Sequence, residues 1–181
     1  MGHIQTKINR KIVLAFLSLA ILFLPKEALG STPYLCDSQY ALCTSAKCSP
    51  IPGKEEISLC YCTVEAGYSF GNKPCENVRT NKDGYQLLRS RYYPSKSYRN
   101  CSNERTWADC LDKPCIVNKD NPSEAVCTCT NKRNQGDYVV QCNASCDSDI
   151  YSSALTSVVV EQSKQFQNQD KLPTAPPVFC K

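Results

Sequence analysis

Histidine is almost missing from this 181-residue chain, the single copy being His3. It lies in a stretch that reads as a leader. Without histidine the remainder assembles neither a Ser-His-Asp or Cys-His relay nor a histidine-ligated catalytic zinc. Only seven glycines are spread over the whole length, and none of them builds a phosphate-cradling loop. Aliphatic residues are scarce as well. Leu, Ile, Val and Phe number 25 beyond residue 30, about a sixth of that part, which is less than a conventional apolar core needs. Long hydrophobic runs are limited to residues 12–24, thirteen positions with nothing more polar than Ser18. As a helix this run would rise about 20 Å, short of the ~30 Å of a bilayer core.

Lys7, Arg10 and Lys11 precede that run, Pro25 ends it, and Ala28-Leu29-Gly30 places small residues at the third and first positions before Ser31. This is the pattern of an export signal cleaved after Gly30. The expected product starts at Ser31, has no stable membrane anchor, and works outside the cytoplasm, secreted or periplasmic. The leader takes Lys7, Arg10, Lys11 and Lys26 with it against Glu27 alone, so the formal charge drops from +4 to +1. A chain so near neutrality is not built as a whole for nucleic acid or anionic lipid, where clustered basic residues supply the affinity.

What the chain holds in quantity is cysteine, 14 residues, all beyond residue 30. Cys43, Cys48, Cys60, Cys62 and Cys75 recur 67 positions later as Cys110, Cys115, Cys127, Cys129 and Cys142. Both copies read C-x4-C-x11-C-x-C-x12-C without insertion. Apart from Ala41/Ala108 and Thr63/Thr130 little between the cysteines is shared, so a framework is duplicated and not a reaction centre. Cys36 precedes the first set, Cys101 the second, and Cys146 and Cys180 follow. The first half thus holds six cysteines and the second eight, and each can close its own bridges. Each bridge contributes about 2–4 kcal/mol by restricting the unfolded chain, and several together can stand in for a missing core.

The expected fold is therefore mainly β, small and disulfide-rich: two tandem cysteine-framework repeats of β-hairpin type with little helix. The expected organisation is a signal peptide at 1–30, a first repeat at 31–78, a basic and aromatic connector at 79–105, a second repeat at 106–146, and a C-terminal extension at 147–181 fastened by Cys180. Residues 40–48 and 57–65 read as strands around the breakers Pro50, Pro52 and Gly53. A turn centred near Lys54 sets Cys48 opposite Cys60 and predicts that bridge. Cys60 and Cys62 share one strand face about 6.6 Å apart, near the limit for bonding each other. They take separate partners, and Cys36, Cys43 and Cys75 are the candidates for Cys62. Residues 66–74 read as a turn-rich loop that tucks Tyr68 and Phe70 over the core, with a binding loop as the alternative. In the second repeat 125–130 and 138–142 read as strands and 134–137 as a turn. Residues 150–160 read as a strand, with a short helix through Gln169 as the alternative, and the tail as extended.

Two cysteine chemistries compete with stapling. A redox dithiol at Cys60-Tyr61-Cys62 or Cys127-Thr128-Cys129 would need a thiolate in an accessible, electropositive setting, whereas these pairs sit in strand-like runs among other cysteines. Structural zinc favours paired knuckles of closer spacing and reducing compartments. We expect no metal and no cofactor. A carboxylate pair, as in a small secreted hydrolase, is the catalytic alternative, although the acids are scattered over turns.

Between Glu76 and Arg105 lie seven Lys/Arg against three acids, interleaved with Tyr85, Tyr92, Tyr93 and Tyr98. Arginine and tyrosine are the side chains of interface anchors. Arg89, Arg91, Tyr92, Tyr93, Tyr98 and Arg99 are therefore the candidate contact residues, for a protein or glycan partner, with a solvated linker, or a strand pair whose tyrosines cover the disulfide core, as the competing reading. Trp107 occupies the place of Tyr40 in the second copy, which points to packing. Asn100-Cys101-Ser102 and Asn143-Ala144-Ser145 match the N-glycosylation sequon. The whole reads as an exported, disulfide-stapled interaction protein with no evident catalytic residue. Intact mass after alkylation without reduction tests this: the chain should begin at Ser31 with no alkylated cysteine. Alkylation at Cys60/Cys62 or Cys127/Cys129 would favour thiol-disulfide exchange instead.

Overall fold

A computed structural model describes residues 33–92, 97–147, 149–167 and 178–180. The expected signal peptide, Tyr93 and most of the C-terminal tail lie outside the described residues. Among the described residues strands dominate, as expected, and one helix accompanies them. In chain order they are β1 (Tyr34–Leu42), β2 (Lys47–Ile51), β3 (Lys54–Gly71), β4 (Arg79–Thr80), β5 (Gln86–Arg91), β6 (Ser97–Cys101) and β7 (Trp107–Asp109). Then follow β8 (Pro114–Val117), β9 (Glu124–Lys132), β10 (Tyr138–Gln141), β11 (Ile150–Tyr151), β12 (Ala154–Leu155), helix α1 (Thr156–Gln167) and β13 (Val178–Phe179).

β2 and β3 form a hairpin around Pro52-Gly53, where Gly53 takes a φ of 74°, a conformation that glycine adopts without steric cost. Cys48 faces Cys60 across it. The expected pairing thus holds, although the turn lies ahead of Lys54 and a register shift between Pro50 and Ile51 absorbs the difference. The expected strand at 40–48 is broken by a turn after Leu42, with Ser45 at a φ of 55°. β3 does not end at Glu65 as the turn-forming residues suggest. It continues to Gly71 because β1 pairs along its far half, from Leu42↔Thr63 to Tyr34↔Gly71. Ladder pairing over nine residues outweighs the weak strand propensity of Ala66 and Gly67.

The second set of cysteines is laid out in the same register. Cys115 faces Cys127 as Cys48 faces Cys60, and Ala108 faces Asn131 as Ala41 faces Val64, each 67 positions on. β3 and β9 then pair with each other. Cys60 faces its own counterpart Cys127, and the flanking pairs Cys62↔Ala125 and Ser58↔Cys129 exchange counterparts, so the register is two-fold symmetric.

The segment between the two sets is not a tether outside the sheet. β5 runs parallel to β1 (Ala41↔Ser90, Leu42↔Arg91) and antiparallel to β8 (Leu87↔Ile116). The circuit β3-β1-β5-β8-β9-β3 is thereby closed into a five-stranded barrel. β11 lies along β2, and Ser152 bridges Ala108, so the C-terminal extension touches both sets. A second sheet, ordered β12-β10-β6-β13, carries α1 at its side. The helix alternative for the region after Ile150 is thus realised from Thr156, preceded by two short strands.

All 14 cysteines are bonded. The first half closes Cys36–Cys75, Cys43–Cys62 and Cys48–Cys60, and the second Cys101–Cys146, Cys110–Cys129, Cys115–Cys127 and Cys142–Cys180. Cys62 takes Cys43 among its three candidates, and Cys180 fastens the chain end as expected. Four of the bridges fill the barrel: Cys43, Cys60, Cys110, Cys115 and Cys127 are wholly buried, with Cys48, Cys62 and Cys129 nearly so. Sγ of Cys43 lies 3.4 Å from Sγ of Cys127, so bridges of the two halves touch. The small residues Ala41, Ala108 and Ala125, also wholly buried, leave room for these sulfurs.

Gly71 ends β3 against a buried ion pair. A Cβ there would lie 1.9 Å from Arg91 Nη1 and 2.4 Å from Asp112 Oδ1. The guanidinium has little freedom to retreat, since it bonds Asp112 at 2.9 Å and the carbonyls of Lys73 and Pro74 at 2.8 Å. Gly71→Ala should therefore cost about 3 kcal/mol or more by displacing a buried pair, read as a lower denaturation midpoint with all bridges intact, whereas Gly84→Ala should leave the ion pair untouched.

Candidate functional site

The connector residues fall into two groups. Arg91, Tyr92 and Tyr98 are interior side chains, only 2%, 4% and 4% exposed. Arg91 faces away from the barrel interior, where the Lys73–Pro74 carbonyls and Asp112 enclose it. Burial pulls its guanidinium pKa down while the Asp112 carboxylate opposes that. The Tyr92 hydroxyl donates to the Ser153 carbonyl (2.9 Å) and accepts from the Cys110 N–H (3.3 Å), and burial pushes the phenol far above its ordinary range. Its ring meets Phe70 edge-on at 6.0 Å. Tyr98 packs with Val139 and Val159.

Arg89 and Arg99 are half-buried. Arg89 bonds the Asp112 carbonyl at 2.8 Å and pairs with Glu76, while Arg99 donates to the Cys142 carbonyl at 3.1 Å. The Arg89 hydrogen bond holds the Glu76 carboxyl below its ordinary pKa. That contribution to stability is present above the unfolded-state value and is lost as pH falls through the lowered one. These arginines and tyrosines therefore knit β5 and β6 to their surroundings and do not form one exposed contact surface. A basic, aromatic composition does not distinguish the two roles, because snorkelled arginines and capped tyrosines serve packing as well as recognition.

Trp107 is buried and stacked on Tyr138 at 5.9 Å, matching the packing role expected from its equivalence with Tyr40. The sulfurs of Cys43, Cys62 and Cys127 lie within 4.8 Å of one another, as do those of Cys48, Cys60 and Cys110. Every one of them is spent in a disulfide, and zinc takes thiolates. In both C-x-C pairs each sulfur is bonded to a different partner and buried. Asp112 is engaged by Arg91 and by the Asn72 N–H at 2.6 Å. The Asn100 amide donates to Asp137 at 3.2 Å, whereas Asn143 is exposed.

The exposed feature that composition did not reveal is the outer face of the barrel. On β3 Ser58, Cys60 and Cys62 point inward, leaving Ile57, Leu59, Tyr61 and Thr63 outside. On β9 Ala125, Cys127 and Cys129 point inward, leaving Val126, Thr128 and Thr130 outside. Tyr61 is opposite Val126, Val126 opposite Ile116, and Ile116 opposite Leu87, one uncharged row across four strands. Tyr61 is 55% exposed and Ile116 48%. A solvated antiparallel sheet normally alternates apolar-in with polar-out. Here cysteine is the inward apolar set, and the outward set mixes Ile, Leu, Val and Tyr with threonine, without charge. The alternation of cysteine with Ile, Leu and Tyr in residues 57–63 is the sequence signal for this face.

No family model, curated protein or solved structure matches the chain. Among the described residues no helix is long and apolar enough to cross a membrane. Seven disulfides suit an oxidising extracellular or periplasmic setting.

The interior placement of Tyr92 generates a direct check. Tyr92→Phe leaves the Ser153 carbonyl and the Cys110 N–H without that partner and should cost about 1–3 kcal/mol of stability. Tyr85→Phe, on the exposed connector, should cost nothing measurable in the same denaturation experiment.

Proposed function

We propose that the chain is an exported binding protein that presents an uncharged row on the outside of its barrel to an apolar patch on a protein partner. The observation that carries this reading is the row Tyr61, Val126, Ile116 and Leu87, with Tyr61 and Ile116 exposed, on strands cross-linked by four buried disulfides. Interface centres are depleted of charge and enriched in aromatic residues, and the outward positions of β3 from Ile57 to Thr63 and of β9 from Val126 to Thr130 carry no charge. A rigid scaffold adds affinity because little conformational freedom remains to be lost on docking. The lack of charge along the row favours a protein surface over nucleic acid or anionic lipid, whose recognition relies on Lys and Arg.

A photo-crosslinking residue at position 61 in the exported protein tests the reading, with the same group at the exposed position 39 as comparison. A discrete protein adduct should form at 61 and not at 39. Ile116→Asp should abolish it while the protein remains folded, since Ile116 is half exposed. Identical adduct patterns at 61 and 39, or an adduct indifferent to Ile116→Asp, would overturn the assignment.

A further inference from the structure

At the end of the barrel where β5 begins and β8 ends, a cleft of about 270 Å³ is lined by Gly84, Gln86, Val117, Asn118, Lys119 and Pro122. Two turns wall it. In one, Asn81 Oδ1 accepts the N–H groups of Asp83 (3.0 Å) and Tyr85 (2.8 Å), and Gly84 closes the bend at a φ of 74°. In the other, Asn118 Oδ1 accepts the Asp120 N–H at 3.0 Å, and Asn118 N donates to the Glu124 carbonyl at 2.9 Å. Lys119 latches one turn to the other: its ammonium lies 3.8 Å from the centre of the Tyr85 ring and donates to the Asp83 carbonyl at 3.2 Å. The two turns are thus bonded to each other beside a cleft in the mouth of the barrel, a common place for a small-molecule site.

Its chemistry is specific. Pro122 offers exposed apolar surface, and Val117, nearly buried, closes the floor beneath it. The Gln86 amide has no hydrogen-bond partner among the described residues, and Asn118 uses only its oxygen. An amide both donates and accepts, which complements a hydroxyl. The one ammonium on the cleft wall is already engaged by a carbonyl and a ring, so no bare cation is offered to a phosphate. A volume just below the usual range for drug-sized ligands admits a single small ring. From this combination we infer that the cleft is a subsite for a neutral pyranose, its apolar C–H face toward Val117 and Pro122 and its hydroxyls toward Gln86 and Asn118. This site is separate from the face proposed to dock protein and stands without it.

Saturation-transfer NMR on the oxidised full chain tests the inference with glucose, galactose, mannose and N-acetylglucosamine, beside glucuronate, with inorganic phosphate followed by ³¹P line broadening. At least one neutral pyranose should show transfer and phosphate should show no binding. Gln86→Ala removes an exposed amide, and Asn118→Asp keeps the acceptor that shapes its turn while removing the amide donor. Each should weaken binding by roughly fivefold or more, with the backbone amide spectrum of the barrel unchanged. Tyr61→Ala, on the outer face, should leave the sugar signal as it is. Absence of transfer from every neutral pyranose, transfer from glucuronate alone, phosphate binding, indifference to both cleft substitutions, or loss of the signal in Tyr61→Ala would each overturn it.

Discussion

Contact between disulfides of the two halves holds the barrel together. β3 and β9 pair so that Cys60 meets Cys127, and the Cys43 sulfur sits 3.4 Å from that of Cys127. Eight half-cystines pack inside one ring of strands, where a larger protein would place leucine and valine. Sulfur is dense and polarisable and fills such space well, while each covalent closure also removes freedom from the unfolded chain. The wholly buried Ala41, Ala108 and Ala125 make sense on the same ground, since larger side chains there would compete with the bridges.

Relieving aliphatic residues of core duty has a consequence on the outside. Ile57, Leu59, Val126 and Ile116 occupy outward positions that a chain with an apolar interior would give to polar residues. The face they form is rigid by virtue of what lies behind it. The cleft at the barrel end shares those strands, and Lys119 links the two turns that wall it.

Closure depends on a segment that looks least like structure. β5 joins β1 to β8, and its Arg91 is anchored by Asp112 and by the carbonyls ahead of Cys75, while the Tyr92 hydroxyl ties the next residue to Ser153 and Cys110. A buried arginine is tolerable because its charge is paired and its donors are taken up. The same side chains read in isolation suggest an exposed recognition patch, since guanidinium and phenol groups serve both purposes.

Strand content, the division of bridges between halves, and the Cys48–Cys60 pairing were legible because they are local: breakers mark turns, period-two alternation marks strands, and opposed hairpin positions bring sulfurs together. Fastening by Cys180 followed from parity. The length of β3 was not legible, since Ala66 and Gly67 extend only because β1 pairs beside them. Neither was the partner of Cys62, for which three cysteines were candidates. The sequence by itself determined a disulfide-stapled β protein suited to an oxidising compartment, because composition and spacing suffice for that. Only the tertiary structure decided that the two cysteine sets share one barrel, that the connector closes it, and which apolar residues face outward. Those outcomes depend on register between strands distant in the chain, and no local pattern encodes that register.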